Sequence, residues 1–178
     1  SQAYESADVL ITVSPALKDI IRKRFNKDAI HIPNIVDTKL FTYIPQKDSE
    51  FFKFVSVGGL KESKRMDLAI KAFEGTFKDN ENVTLTIFGE GPERANLESL
   101  IQKYNIGNRV KLMGLQSREC IFEYFKKSDC FVLASQTETF GVAYIEALAS
   151  GLPVIATKCG GPESFVNDKN GILVPVDD

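Results

Sequence analysis

The sequence predicts an α/β domain, a parallel sheet with helices on both faces. Three observations carry this. Short apolar runs alternate with longer amphipathic runs along the chain. The connections between them are short, which implies right-handed crossovers. Several of the apolar runs are continuous rather than alternating, as in strands buried on both faces.

In chain order, Val9 to Val13 reads as a strand. Ser14 caps a helix with Pro15 at its first position, running to about Phe25. Ala29 to Ile32 is a short strand ended by Pro33, and the polar, aperiodic stretch Thr42 to Ser49 reads as a linker. Lys53 to Val57 is a strand running into Gly58 and Gly59. Met66 to Phe77 is a helix with apolar residues at helical spacing. Val83 to Phe88 is a strand ending at Gly89, and Pro92 opens a helix to about Tyr104. Val110 to Met113 is a strand, followed by Gly114 and a helix from the Ser117 cap to about Lys127. Asp129 to Ala134 is a strand, Gly141 to Ser150 a helix, and Pro153 to Ala156 a strand. Pro162 to Val166 forms a short helical turn and Gly171 to Val174 a last strand.

Ligands of such sheets bind beyond the carboxyl ends of the strands. That places the loops at Gly58, Gly89, Gly114, Ser135 to Phe140 and Thr157 to Gly161 on one rim. The chemistry is expected there.

The 178 residues suffice for a sizeable core, and 43% hydrophobic with 26% charged residues is a globular profile. The net charge of −2 argues against nucleic acid as a partner. No apolar run approaches the roughly 20 residues of a membrane span, and no secretory signal is expected at the start. Cys120, Cys130 and Cys159 are odd in number and far apart, which reads as reduced thiols in a cytoplasmic protein. Cys130 reads as a buried strand residue and Cys159, beside two glycines, as exposed. The single histidine, His31, offers no metal cluster.

The densest chemistry is in Glu138-Thr-Phe-Gly-Val-Ala-Tyr-Ile-Glu146, with two carboxylates eight positions apart. Glu138 falls in a loop after a strand, and Glu146 about one and a half turns into the next helix. The helix start near Gly141 leaves backbone N–H groups free, a setting that favours phosphate. Glu146 sits among apolar residues, where a charge needs a partner or a task.

This segment resembles the signature of the large family of retaining glycosyltransferases of the group 1, family 4 type. In that pattern two glutamates are separated by seven residues, with Phe-Gly after the first. Val57-Gly-Gly-Leu-Lys-Glu-Ser-Lys-Arg-Met-Asp67 is similar to the family's phosphate-clamping segment. Lys64 matches its lysine, Gly59 stands where the family has arginine, and Arg65 is the adjacent substitute. Phe88-Gly-Glu-Gly-Pro92, Lys111 to Leu115, Gly160-Gly-Pro-Glu163 and Pro33-Asn-Ile-Val-Asp37 resemble further family segments in the family's order.

The resemblance implies a Rossmann-like sheet forming one half of a two-domain GT-B enzyme. Residues 1–45 would be the tail of an acceptor-binding domain plus linker, and 46–178 the nucleotide-sugar-binding domain. It implies Glu138 and Lys64 as catalytic residues. The donor site would comprise Gly58, Gly59, Lys64, Arg65, Gly89, Glu90, Leu115, Glu138, Thr139, Phe140, Gly141, Val142 and Glu146, with Glu146 on ribose. The substrate would be a UDP-, GDP- or ADP-sugar, transferred with retention to a hydroxyl of a glycan, lipid-linked or polysaccharide precursor bound by the other domain. No cofactor and no metal are implied, and the sequence has no Asp-x-Asp segment. A lipid-linked acceptor would bring the full-length enzyme peripherally to the inner face of the membrane. The alternatives are a degenerate nucleotide-sugar-binding module and a GT-B nucleotide-sugar epimerase.

Overall fold

The structure, a computed structural model, describes residues 6–43, 45 and 49–177. Part of the linker expected over Thr42 to Ser49, with the domain boundary placed within it, lies outside the described residues.

Two short strands, β1 (Ile11–Thr12) and β2 (Ile30–His31), pair in parallel around helix α1 (Pro15–Phe25). Both are shorter than the sequence reading, because only two residues of each find a ladder partner. The Ser14 hydroxyl accepts from Leu17 N at 3.3 Å, Pro15 opens the helix, and Asn26 closes it in the left-handed region.

The remaining six strands form one parallel sheet in the order β5-β4-β3-β6-β7-β8. They are β3 (Phe52–Val57), β4 (Val83–Phe88), β5 (Val110–Leu112), β6 (Cys130–Leu133), β7 (Val154–Thr157) and β8 (Gly171–Val174). Between them run α2 (Met66–Phe77), α3 (Arg94–Lys103), α4 (Arg118–Phe125) and α5 (Val142–Ala149). Helix α3 starts two residues later than expected, because Gly91 to Arg94 closes a turn instead, with Arg94 N donating to Gly91 O.

Register fixes which face each helix covers. Phe54 pairs with Cys130 and Val55 with Phe131, so Phe54 and Phe131 lie on opposite faces. The Phe54 ring packs on Phe77 of α2 at 5.7 Å. On the other face the Phe131 ring meets Phe125 of α4 at 6.0 Å and Tyr144 of α5 at 5.3 Å. The core thus has two layers of aromatic and branched side chains flanking a sheet whose own Val55, Leu85, Phe131 and Val154 are almost fully buried.

The strand sequence reverses direction between β3 and β6. This is the topological switch point, and the crevice above its carboxyl ends is where doubly wound sheets bind ligands. Phe41 is fully buried and packs edge-on against Phe122 at 5.8 Å and beside Phe125 at 6.0 Å, so the segment leading into the sheet is anchored on α4. Among the described residues no helix is long and apolar enough to cross a membrane.

Candidate active site at the switch point

The loops at the carboxyl ends of the strands are stitched into one rim by backbone hydrogen bonds. Gly58 N donates to Phe88 O at 3.0 Å, Leu60 N to Glu90 O at 2.9 Å, and Gly89 N to Gly114 O at 2.9 Å. Across the switch point Gln136 N donates to Ser63 O at 2.8 Å, and on its far side Glu138 N donates to Cys159 O at 3.0 Å, joining the loops after β6 and β7. The approach is tightest at Gly89, whose φ is +140° and where a Cβ would stand 1.9 Å from Gly58 O. Only glycine fits there.

Lys64 ends a short 3₁₀ turn, Glu62–Lys64, that follows β3. Its Nζ donates to Glu138 Oε1 at 2.5 Å, and Ser135 Oγ donates to the same oxygen at 3.1 Å. Ser135 is fully buried, and its carbonyl accepts from Thr157 Oγ1 at 2.5 Å. The Glu138 side chain is 10% exposed and that of Lys64 24%. A largely buried cation and carboxylate thus meet between loops that are 74 residues apart in sequence.

Behind Glu138 the chain enters α5. Gly141 caps it with φ +92°, its Cα packed so close to Tyr144 that a Cβ would lie 2.5 Å from the ring. Tyr144 N donates to Gly141 O at 3.1 Å, and the two amides before it, of Val142 and Ala143, carry the positive end of the helix dipole. Tyr144 steadies this start from below. Its hydroxyl donates to Leu133 O at 3.1 Å, and burial, with the nearby Cys159 and Glu138, holds its phenol well above the usual range.

A cavity of about 360 Å³ lies over these groups. It brings together Gly58, Gly59, Lys64, Glu138, Thr139, Phe140, Gly141 and Val142 of the sequence-derived set, with Val13 and Asn34 from the β1–β2 portion as unforeseen neighbours. Its volume suits a small ligand. What it offers chemically is a cation, a carboxylate and a helix amino terminus around one space, a combination suited to a ligand carrying both phosphate and hydroxyl groups.

Five residues of the set lie outside this space. Arg65 adopts a left-handed backbone (φ 46°) and turns its guanidinium to Asp67 at 3.1 Å and to Asp177. It lines a larger cavity, about 740 Å³, with Lys61, Asp67, Lys71 and Glu93. There Arg65 and Lys71 already satisfy Asp67, whose carboxyl is held below its usual range by them despite partial burial. Size alone does not outweigh the chemistry of the smaller cavity. Glu90 pairs with Arg94, Gly89 lies in the β4 rim loop, and Leu115 is 75% exposed on the β5 loop. Glu146 is 8% exposed and is met by Arg118, whose Nη2 lies 2.5 Å from its Oε1.

Two features escaped the sequence reading. Arg118 was not foreseen, since nothing in its local sequence points to a partner 28 residues away. Ser135 has a weak signal, a hydroxyl three residues before Glu138. Cys159 corrects an expectation. It is buried, not exposed, because Gly161 folds back against Phe140, and burial pushes its thiol up. Cys130 is buried as expected, its thiol pushed up to about 11 by desolvation and by Asp129.

Residues 39–178 match the family described as glycosyl transferases group 1. The chain belongs to that family. It is 31% identical, over 98% of its length, to an uncharacterized glycosyltransferase of Methanocaldococcus jannaschii, and covers 46% of that protein. The sucrose-phosphate synthase of Thermosynechococcus elongatus superposes with a TM-score of 0.88 at 27% identity, over 99% of this chain and 47% of that one. The pneumococcal O-GlcNAc transferase GtfA, solved in complex with UDP and GlcNAc, superposes with a TM-score of 0.77 at 26% identity, over 97% of this chain and 35% of that one. The chain therefore spans less than half the length of these relatives. The α/β sheet is that of GT-B glycosyltransferases.

Proposed function

We propose that this chain is the donor-binding half of a retaining, metal-independent glycosyltransferase. It takes a nucleotide-sugar and passes the sugar to an acceptor hydroxyl presented by another domain. Residues 46–178 form the donor domain, and residues 1–45 are the tail of the acceptor-binding domain with its linker. The observation that carries the reading is the Lys64–Glu138 pair beside the α5 amino terminus, at the switch point of the sheet.

In this reading the diphosphate lies at the first amides of α5 with the Lys64 ammonium against it. Both face the negative charge that grows on the leaving group as the glycosidic bond breaks. Glu138, already fixed by Ser135, accepts from the sugar hydroxyls, and Glu146 takes the ribose. The complex of a relative with UDP and GlcNAc supports a uridine donor first among UDP-, GDP- and ADP-sugars.

Titration calorimetry of the intact protein with the three diphosphates and their sugar conjugates tests this. One nucleotide is expected to bind selectively. Lys64→Ala should weaken that diphosphate about 10- to 100-fold, the span of a charge-assisted contact. Glu138→Gln should weaken the sugar conjugate more than the bare diphosphate. Equal binding by both variants and the wild type would remove the site from this cavity.

A second reading is favoured by one observation. Gly59 leaves the arginine position empty and Arg65 turns away to Asp67 and Asp177, as in a module that binds without turnover. It predicts nucleotide-sugar binding by the intact protein with no sugar transfer or hydrolysis.

A further inference from the structure

Glu146 is a carboxylate in a helix that is otherwise mostly apolar, and it is only 8% exposed. A buried carboxylate is costly unless it is paired. Its partner is Arg118, the first residue of α4, which follows directly on the rim loop after β5. The contact engages a single oxygen, Oε1. Oε2 accepts no hydrogen bond among the described residues, where Arg109 Nε, 3.7 Å from Glu81 Oε2, is the one sealed side-chain polar atom that lacks a hydrogen bond. Oε2 is therefore reachable from outside.

Arg118 is itself held on a second side. Its guanidinium lies over the Phe41 ring, 5.3 Å from the centroid, and Phe41 is locked between Phe122 and Phe125. The Ser117 cap fixes the backbone beneath it, accepting from Cys120 N at 3.2 Å. Yet the Arg118 side chain is 55% exposed, and ion pairs that open to water add little stability. Pairing alone explains that an arginine is here, but not that it is braced on an aromatic ring while meeting a single oxygen of the carboxylate. Orientation does.

We propose that Arg118 is a positioning residue for nucleotide binding. It pins Oε1 of Glu146 so that Oε2 is presented at a fixed angle to the vicinal hydroxyls of a ribose. This rests on the reading above that Glu146 takes the ribose, and adds the residue that makes it competent. Phe41, from the segment entering the sheet, is the platform that keeps the arginine in place.

The test compares UDP, GDP and ADP with the 2′,3′-dideoxy counterpart of each, titrated into the intact protein. Wild type should bind one ribonucleotide roughly 10-fold or more tighter than its dideoxy form, the worth of hydrogen bonds to a charged acceptor. In Arg118→Ala the ratio should collapse to within about 3-fold, with dideoxy affinity changed by less than about 2-fold. Glu146→Gln should behave alike, the double variant should lose no more than either single one, and Arg118→Lys should restore part of the ratio. A merely structural role would weaken both forms equally and leave the ratio alone. An unchanged ratio in Arg118→Ala overturns the proposal, as does tighter ribonucleotide binding, which would make Arg118 a latch. Failure of the wild type to bind any nucleotide, or to distinguish ribose from dideoxyribose, would instead overturn the ribose reading beneath it.

Discussion

At the scale of single residues, Gly59 is the position where chemistry and backbone part company. A Cβ there meets nothing closer than 3.8 Å, from Glu90 O and Lys61 Cε, and Gly59 is not among the residues with positive φ. The backbone there accepts a Cβ without a clash. Gly59→Arg should fold with stability changed by no more than about 0.5 kcal/mol and should bind nucleoside diphosphate about 3- to 10-fold more tightly, because a guanidinium would join Lys64 at the phosphates. Calorimetry on the variant checks this, and unchanged affinity would mean that position 59 does not face the diphosphate. Arg65 shows why sequence adjacency misled. It is one residue from Lys64, but its left-handed backbone sends the side chain to Asp67 and Asp177 instead. Lys64 and Glu138 were singled out because their segments resemble the family's phosphate-clamping and two-glutamate segments, and the structure sets the two side chains against each other. Arg118 was not, because its contact with Glu146 depends on two helices meeting, and Cys159 departs from the expectation because adjacent glycines do not reveal how closely Gly161 packs on Phe140.

Individual elements owe their positions to the rim rather than to their own propensities. Gly89 is where this matters most, since β4 exits against the Gly58 carbonyl. Gly89→Ala must distort either its own φ or the β3–β4 exits. It should cost about 2–4 kcal/mol in urea denaturation, and it should also weaken nucleotide binding, since Gly58 and Gly59 belong to the cavity. Intact binding at reduced stability would show that the loops yield without disturbing the site. Element type and order were readable because apolar runs alternate with longer amphipathic ones, α2 carries apolar residues at helical spacing, and α1 and α4 carry hydroxyl caps, Ser14 and Ser117. Lengths of β1 and β2 were not, because a strand's extent is set by its partner, and their apolar runs continue past the two paired residues.

For the molecule as a whole, the alternating pattern fixed the class, a parallel sheet under helices, but left the strand order open. Each crossover could have stepped either way along the sheet, and the pairing of β3 with β6 is a tertiary fact. Phe41 is another. It lies eleven positions before the first residue of the sheet, Phe52, yet is wholly within the core beside α4. Phe41→Ala should destabilise the protein by about 3–5 kcal/mol in chemical denaturation, comparable with a mid-sheet phenylalanine. A loss below about 1 kcal/mol would show that the entering segment is only loosely seated.

The meeting of β3 and β6 also bears on how the protein reaches this state. Lys53 N donates to the Asp129 carboxylate at 2.7 Å across a separation of 76 residues, so the centre of the sheet is a contact between distant parts of the chain. Such closures are entropically late, because a long loop must be drawn in before anything rewards it. Lys64 and Glu138 sit directly above that seam, one on each side. A ligand held by both can recognise only chains in which the seam has closed, and by mass action it withdraws those chains from the unfolding equilibrium. A ligand gripped on both sides would then act as a clasp on a contact that joins distant parts of the chain.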